Sequence, residues 1–85
     1  MSIQKLIDQT FSYSLEAQGT DLADLYLADT ADFQAVQRMI NSNDIDGAMM
    51  KIGRMDTEPR EQIILAIADE YGNGYVETVI GYEVA

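Results

Sequence analysis

Apolar residues recur along this chain at spacings of three and four, the mark of helices that each turn one face to a core. The first segment places Ile3, Leu6, Ile7, Phe11 and Leu15 on one such face. Ser2 stands where an N-cap belongs, and Gly19 where a helix stops. Next, "TDLADLYLAD" predicts a short second helix capped by Thr20, with Leu22, Leu25 and Tyr26 turned inward. Asp29 or Thr30 then caps a third over "DTADFQAVQRMIN", with Phe33, Val36 and Ile40 in its stripe, completed by Met39 or Gln37. Leu27 is placed to pack over the entry to that helix as a hydrophobic staple.

The pattern continues through "SNDIDGAMMKIG". Ser42 or Asn43 serves as N-cap, and Asp44 and Asp46 fall in the first turn, where the helix dipole favours acids. Ile45, Ala48, Met49, Ile52 and Met55 form the inward stripe. Gly47 and Gly53 each weaken this helix by about 1 kcal/mol against alanine and leave room for a neighbouring backbone. "DTEPREQIILAIADEYG" is the strongest helix, with Thr57 as cap, Pro59 in the first turn and Gly72 at the stop. Its buried face is Ile63, Ile64, Ile67, Ala68 and Tyr71, widened by Leu65, so the helix over 58–71 is expected at the centre. The tail has two readings. Val76, Thr78, Ile80, Tyr82 and Val84 alternate as in a strand, whereas Tyr75, Val76, Val79 and Ile80 suit a helix capped by Asn73. No second stretch alternates, so a strand here lacks a partner. The expected fold is therefore all-α: one domain over 1–85, a bundle of four to six short helices ending in a short helix and an extended end.

Composition adds one strong constraint and several exclusions. The chain of 85 residues has no cysteine and no histidine. Disulfides, thiolate metal sites and the commonest general base are thereby removed. Fifteen acids face five bases, for a net charge of −10. Between Lys5 and Arg38 lie six acids and no base, and after Arg60 five more acids and no base. A surface of this sign repels nucleic acid and anionic membranes and attracts basic protein surfaces. The N-terminal stretch lacks the apolar core of a signal peptide, and no run approaches the roughly 18 apolar residues of a membrane span. The expected location is the cytoplasm.

Named chemistries fare poorly. Placing Gly47 at the sixth position of an EF-hand loop puts Asp44 and Asp46 in register, but Ser42 then opens the loop and Gly53 closes it where a bidentate glutamate is needed. The two aspartates read better as the start of a helix. No histidine is present to activate a serine or threonine, and "YGNGY" lacks the lysine of a phosphate loop. The paired carboxylates Asp21/Asp24, Asp29/Asp32 and Asp69/Glu70 read as solvated helix faces. The expectation is a non-enzymatic chain without cofactor or metal, acting on a protein partner with a basic surface.

Two surfaces are candidates for that contact. The first is the base-free acidic run, Asp21, Asp24, Asp29 and Asp32, whose carboxylates can imitate the phosphates of a nucleic acid. The second is an apolar patch of Met50, Tyr75 and Tyr82, joined by Val76 and Val84, suited to self-association or docking as a small assembly or adaptor protein. In size, charge and helical character the chain resembles small acidic inhibitors of phages and mobile elements, such as anti-restriction and anti-CRISPR proteins. That resemblance implies blockade of a basic nucleic-acid-binding groove on a host protein.

Overall fold

The first helix of the computed structural model, α1 (Ile3–Glu16), is fastened at its start from two directions. Residues 1–83 are described; Val84, one member of the expected apolar patch, lies outside them. The Ser2 hydroxyl accepts from the Lys5 N–H at 3.1 Å, and the Glu70 carboxylate accepts from the Ile3 N–H at 2.9 Å. Two of the four amides that a helix start leaves unpaired are thus satisfied. The N-terminal ammonium pairs with Asp69 alongside. Because Asp69 and Glu70 close α4 (Thr57–Tyr71), α1 and α4 must run antiparallel.

After α1 the chain turns through Gly19, whose φ of +86° is left-handed and strained for any residue with a Cβ. It then enters α2 (Asp21–Asn41), a single helix of 21 residues where the pattern predicts two. The reason is visible at Thr30. Instead of capping a helix, Thr30 is buried within one, and its Oγ1 donates to the Tyr26 carbonyl at 2.7 Å. The hydroxyl is satisfied by the turn before it and leaves the helix unbroken. No glycine or proline occurs between residues 20 and 46 to interrupt it. Leu27 is exposed, so it staples nothing.

The link to α3 (Ile45–Gly53) is tight. Asn43 takes a φ of +60°, the Ser42 hydroxyl donates back to the Arg38 carbonyl, and Asp44 becomes the N-cap in place of Ser42 or Asn43. Asp44 Oδ1 accepts from the Gly47 N–H at 3.0 Å. A Cβ at position 47 would collide with that carboxylate, so this glycine makes room for the cap rather than for a neighbouring helix. Asp56, not Thr57, is the cap residue of α4, and Gly72, with φ +98°, ends it. The tail adopts the helical reading. α5 begins as Asn73–Tyr75, its cap residue Gly72 rather than Asn73, and runs directly into a π-helical turn, Val76–Ile80. Gly81 and Tyr82 both donate to the Val76 carbonyl as the turn closes.

The described residues form five helices and no strand, the all-α bundle that the spacing predicts. One core joins them: Phe33 and Val36 of α2, Ile52 of α3, Ile63 and Ile67 of α4, and Val76 of the tail are fully buried. The central role expected for α4 is the observed one, since it contacts α1, α3 and both parts of the tail helix. Its exposed side carries Leu65 and Tyr71, which the pattern had assigned to the core. On α3, Met49 is likewise exposed and Ile45 half-buried.

The molecule is elongated, 41 by 21 by 21 Å. Helix lengths account for this. α2 spans about 31 Å and α4 about 22 Å at 1.5 Å per residue. The α4 N-terminus lies beside the middle of α2, near Asp29, so the far end of the α1–α2 hairpin projects beyond it.

Candidate functional site

The projecting end of the hairpin reverses the usual order of burial. Thr10 and Ser14 of α1 and Thr30 of α2 are buried between the helices. Their hydroxyls donate to the carbonyls of Leu6, Phe11 and Tyr26, so each small side chain is buried without an unpaired polar atom. The large apolar residues of the same segments face outward. Phe11 and Leu15, expected in the core, are 46% and 51% exposed. Leu22 and Leu25, also expected inward, are 53% and 60% exposed.

These exposed residues divide between two sides of the hairpin. On one side, Leu22, Leu25 and Tyr26 of α2 meet Leu6 and Tyr13 of α1 and Pro59 of α4 to line a groove of about 270 Å³. The rings of Tyr13 and Tyr26 sit 5.6 Å apart at 52° and shape one wall. Gln9 steadies that wall by donating to the Tyr13 hydroxyl at 2.7 Å. A second hollow, about 280 Å³, continues toward Leu65 and Ala66 of α4. Leu6, Gln9 and Gln62 line both hollows, so together they form one furrow along the α1–α4 seam. Phe11, Leu15 and Leu27 lie outside this lining.

One end of the furrow holds Asp69 paired with the N-terminal ammonium, and further acids stand where the start of α4 meets the middle of α2. Asp29 and Glu58 line the furrow there, and no lysine or arginine does. Partial burial pushes the Asp29 carboxyl above its ordinary value, and the negative charges of Asp32, Asp56 and Glu58 push it further. This end of the furrow has an excess of negative charge within a lining that mixes leucine, tyrosine and proline with Gln9, Thr10 and Gln62.

The four aspartates expected to form one acidic face have three different settings. Asp21 and Asp24 are exposed in the first turn of α2, where the helix dipole favours carboxylates. Asp29 is half-buried and turned to the furrow. Asp32 forms an ion pair with Lys51 of α3 at 2.9 Å, which offsets its charge. Only Asp21 and Asp24 are freely presented.

The alternative patch is not assembled as expected. Met50 is exposed, but Tyr75 is half-buried and stacks on Tyr71 at 4.9 Å. Tyr82 is half-buried against the core, its hydroxyl close to Gly53, and Val76 is fully buried. The tail residues proposed as contacts are largely spent on holding the tail to α3 and α4.

Comparison with protein-family models, with curated proteins and with solved structures finds no match. The site is therefore read from its own geometry. Its leucines and tyrosines were missed as surface residues because a helical stripe could absorb them. One signal was present: "LADLYLAD" carries leucines at 22, 25 and 27, more directions than one buried face can take.

Proposed function

We propose that this chain is a non-catalytic binding protein that docks on a basic surface of a partner protein, acting as a phage- or mobile-element-type inhibitor that blocks a nucleic-acid-binding groove. The observation that carries this reading is the charge left after internal pairing. Among the described residues, ion pairs engage only Asp32, with Lys51, and Asp69, with the N-terminal ammonium. The rest of the fifteen acids have no such partner among the described residues. An uncompensated field of this size steers oppositely charged partners into contact and rejects nucleic acid itself.

The test is capture of a host protein on the immobilised chain, followed by challenge with salt and with duplex DNA. Affinity is expected to fall at least about ten-fold between about 50 and 200 mM salt. Duplex DNA is expected to release the captured protein. Capture indifferent to both challenges overturns the reading. A second reading, a small assembly or adaptor protein, draws support from the exposed leucines of the hairpin rather than from Met50, Tyr75 and Tyr82.

A further inference from the structure

We infer that the furrow between α1, the N-terminal half of α2 and α4 docks a basic amphipathic helix of the partner protein, its apolar face on Leu22, Leu25 and Leu65 and a lysine or arginine against Asp29 and Glu58. The inference rests on the acidic-binding reading above and says how that surface selects among basic partners.

Three observations converge on this occupant. The first is shape. The lining follows α1 from Leu6 to Tyr13, about 10 Å at 1.5 Å per residue, or about two turns of helix at 5.4 Å each, with Leu65 beside its start. That is the span over which a docked helix presents apolar anchors at i, i+3 or i+4, and i+7. The second is apolar surface left without an internal partner. Leu25 and Leu65 are 60% and 58% exposed along one continuous lining, not scattered singly over the molecule. The third is charge. Asp29 and Glu58 stand in a lining that holds no lysine or arginine; of the carboxylates nearby, Asp32 is paired with Lys51 of α3, and Asp56 has no ion-pair partner among the described residues. A cation arriving inside this rim meets carboxylates that the chain itself leaves uncompensated, where the local dielectric strengthens the attraction.

The same charges argue against a second copy as the occupant. Two chains of net charge −10 repel at long range. A two-fold contact through the furrow would also bring Asp29 and Glu58 toward a surface that supplies no lysine or arginine in return. An anionic lipid surface is rejected for the same reason.

The experiment uses the full chain and two labelled synthetic peptides of identical composition, read by fluorescence anisotropy. One peptide arranges leucines and lysines as an amphipathic helix; the other scrambles them so that no apolar face forms. The amphipathic peptide is expected to bind at least ten-fold more tightly. L22Q/L25Q is expected to abolish that preference while both peptides keep weak, salt-sensitive binding. D29N/E58Q is expected to weaken the amphipathic peptide and reduce its salt dependence. Circular dichroism checks that both variants remain helical.

Equal affinity for the two peptides, unaffected by L22Q/L25Q, overturns the furrow while leaving the acidic surface as the binding feature. Selective binding that ignores salt and D29N/E58Q overturns the electrostatic reading itself. Sedimentation showing a dimer of the chain that L22Q/L25Q dissociates assigns the furrow to a second copy and overturns the proposal.

Discussion

The two ends of the α1–α2 hairpin are built by opposite rules. At the end that α3 and α4 cover, Ile3, Leu6, Ile7, Phe33 and Val36 are buried, as an amphipathic pattern requires. At the other end the inter-helix seam holds Thr10, Ser14 and Thr30, while leucines and tyrosines face outward. The covered end is apolar because α3 and α4 are available to pack on it. The far end has only two helices, too little to enclose large side chains, so small ones fill the seam and let the helices approach. The large apolar residues remaining there are about half exposed. Leu22 and Leu25 among them, with Tyr26, line the furrow that is proposed to receive an external partner.

The sharpest way to break this contrast is at the covered end. Phe33→Ala removes a fully buried ring. It is expected to cost about 3–5 kcal/mol, measured by urea titration. For a chain of this size that is a large fraction of the total stability. A loss below about 1 kcal/mol would mean that the covered end is not the main core. At the far end, Ser14→Leu enlarges a side chain held in the narrow seam. Overpacking is expected to destabilise by about 1–3 kcal/mol in a thermal melt, although leucine favours helix and adds apolar surface. A stabilised variant would show that the seam has room for a conventional core.

A smaller effect follows from Asp29. Its carboxyl is raised above the ordinary 3.8, chiefly by burial and then by Asp32, Asp56 and Glu58. The folded chain thus holds this proton more tightly than the unfolded chain. Stability from this group falls as pH rises through the interval between 3.8 and the raised folded value. Asp29→Asn removes the cost of ionisation. It is expected to raise the melting temperature at neutral pH, with the gain vanishing below pH 3.8. A variant less stable than the parent at neutral pH would show that the carboxylate makes a favourable contact in the fold. The smallest effect belongs to the furrow. Leu22→Gln and Leu25→Gln are each expected to shift stability by no more than about 0.5 kcal/mol. A larger loss from either would return these leucines to the core.

The covered end was legible from the sequence, and the far end was not. Spacing of three and four identified Ile3, Leu6, Ile7, Phe33, Val36, Ile63 and Ile67 because those residues are both apolar and buried. The same rule misplaced Phe11, Leu15, Leu22 and Leu25, since it has no means of telling an inward stripe from an outward one. The alternative stripe on α1 passes through Ile3, Ile7, Thr10 and Ser14. Accepting it required seeing that a hydroxyl can be buried when it bonds to the turn before it. That same property of threonine made Thr30 resemble a cap and divided α2 in two. The acidic set failed for a different reason. Lys51 is 19 positions from Asp32 in the sequence, and only the fold brings them together.

The unbroken course of α2 has a further consequence. A rod without a hinge holds Leu22, Leu25 and Asp29 in fixed register with the rest of the molecule before any encounter. On the proposed docking, the entropic cost of becoming ordered falls on the incoming segment alone, and affinity depends on how readily that segment coils.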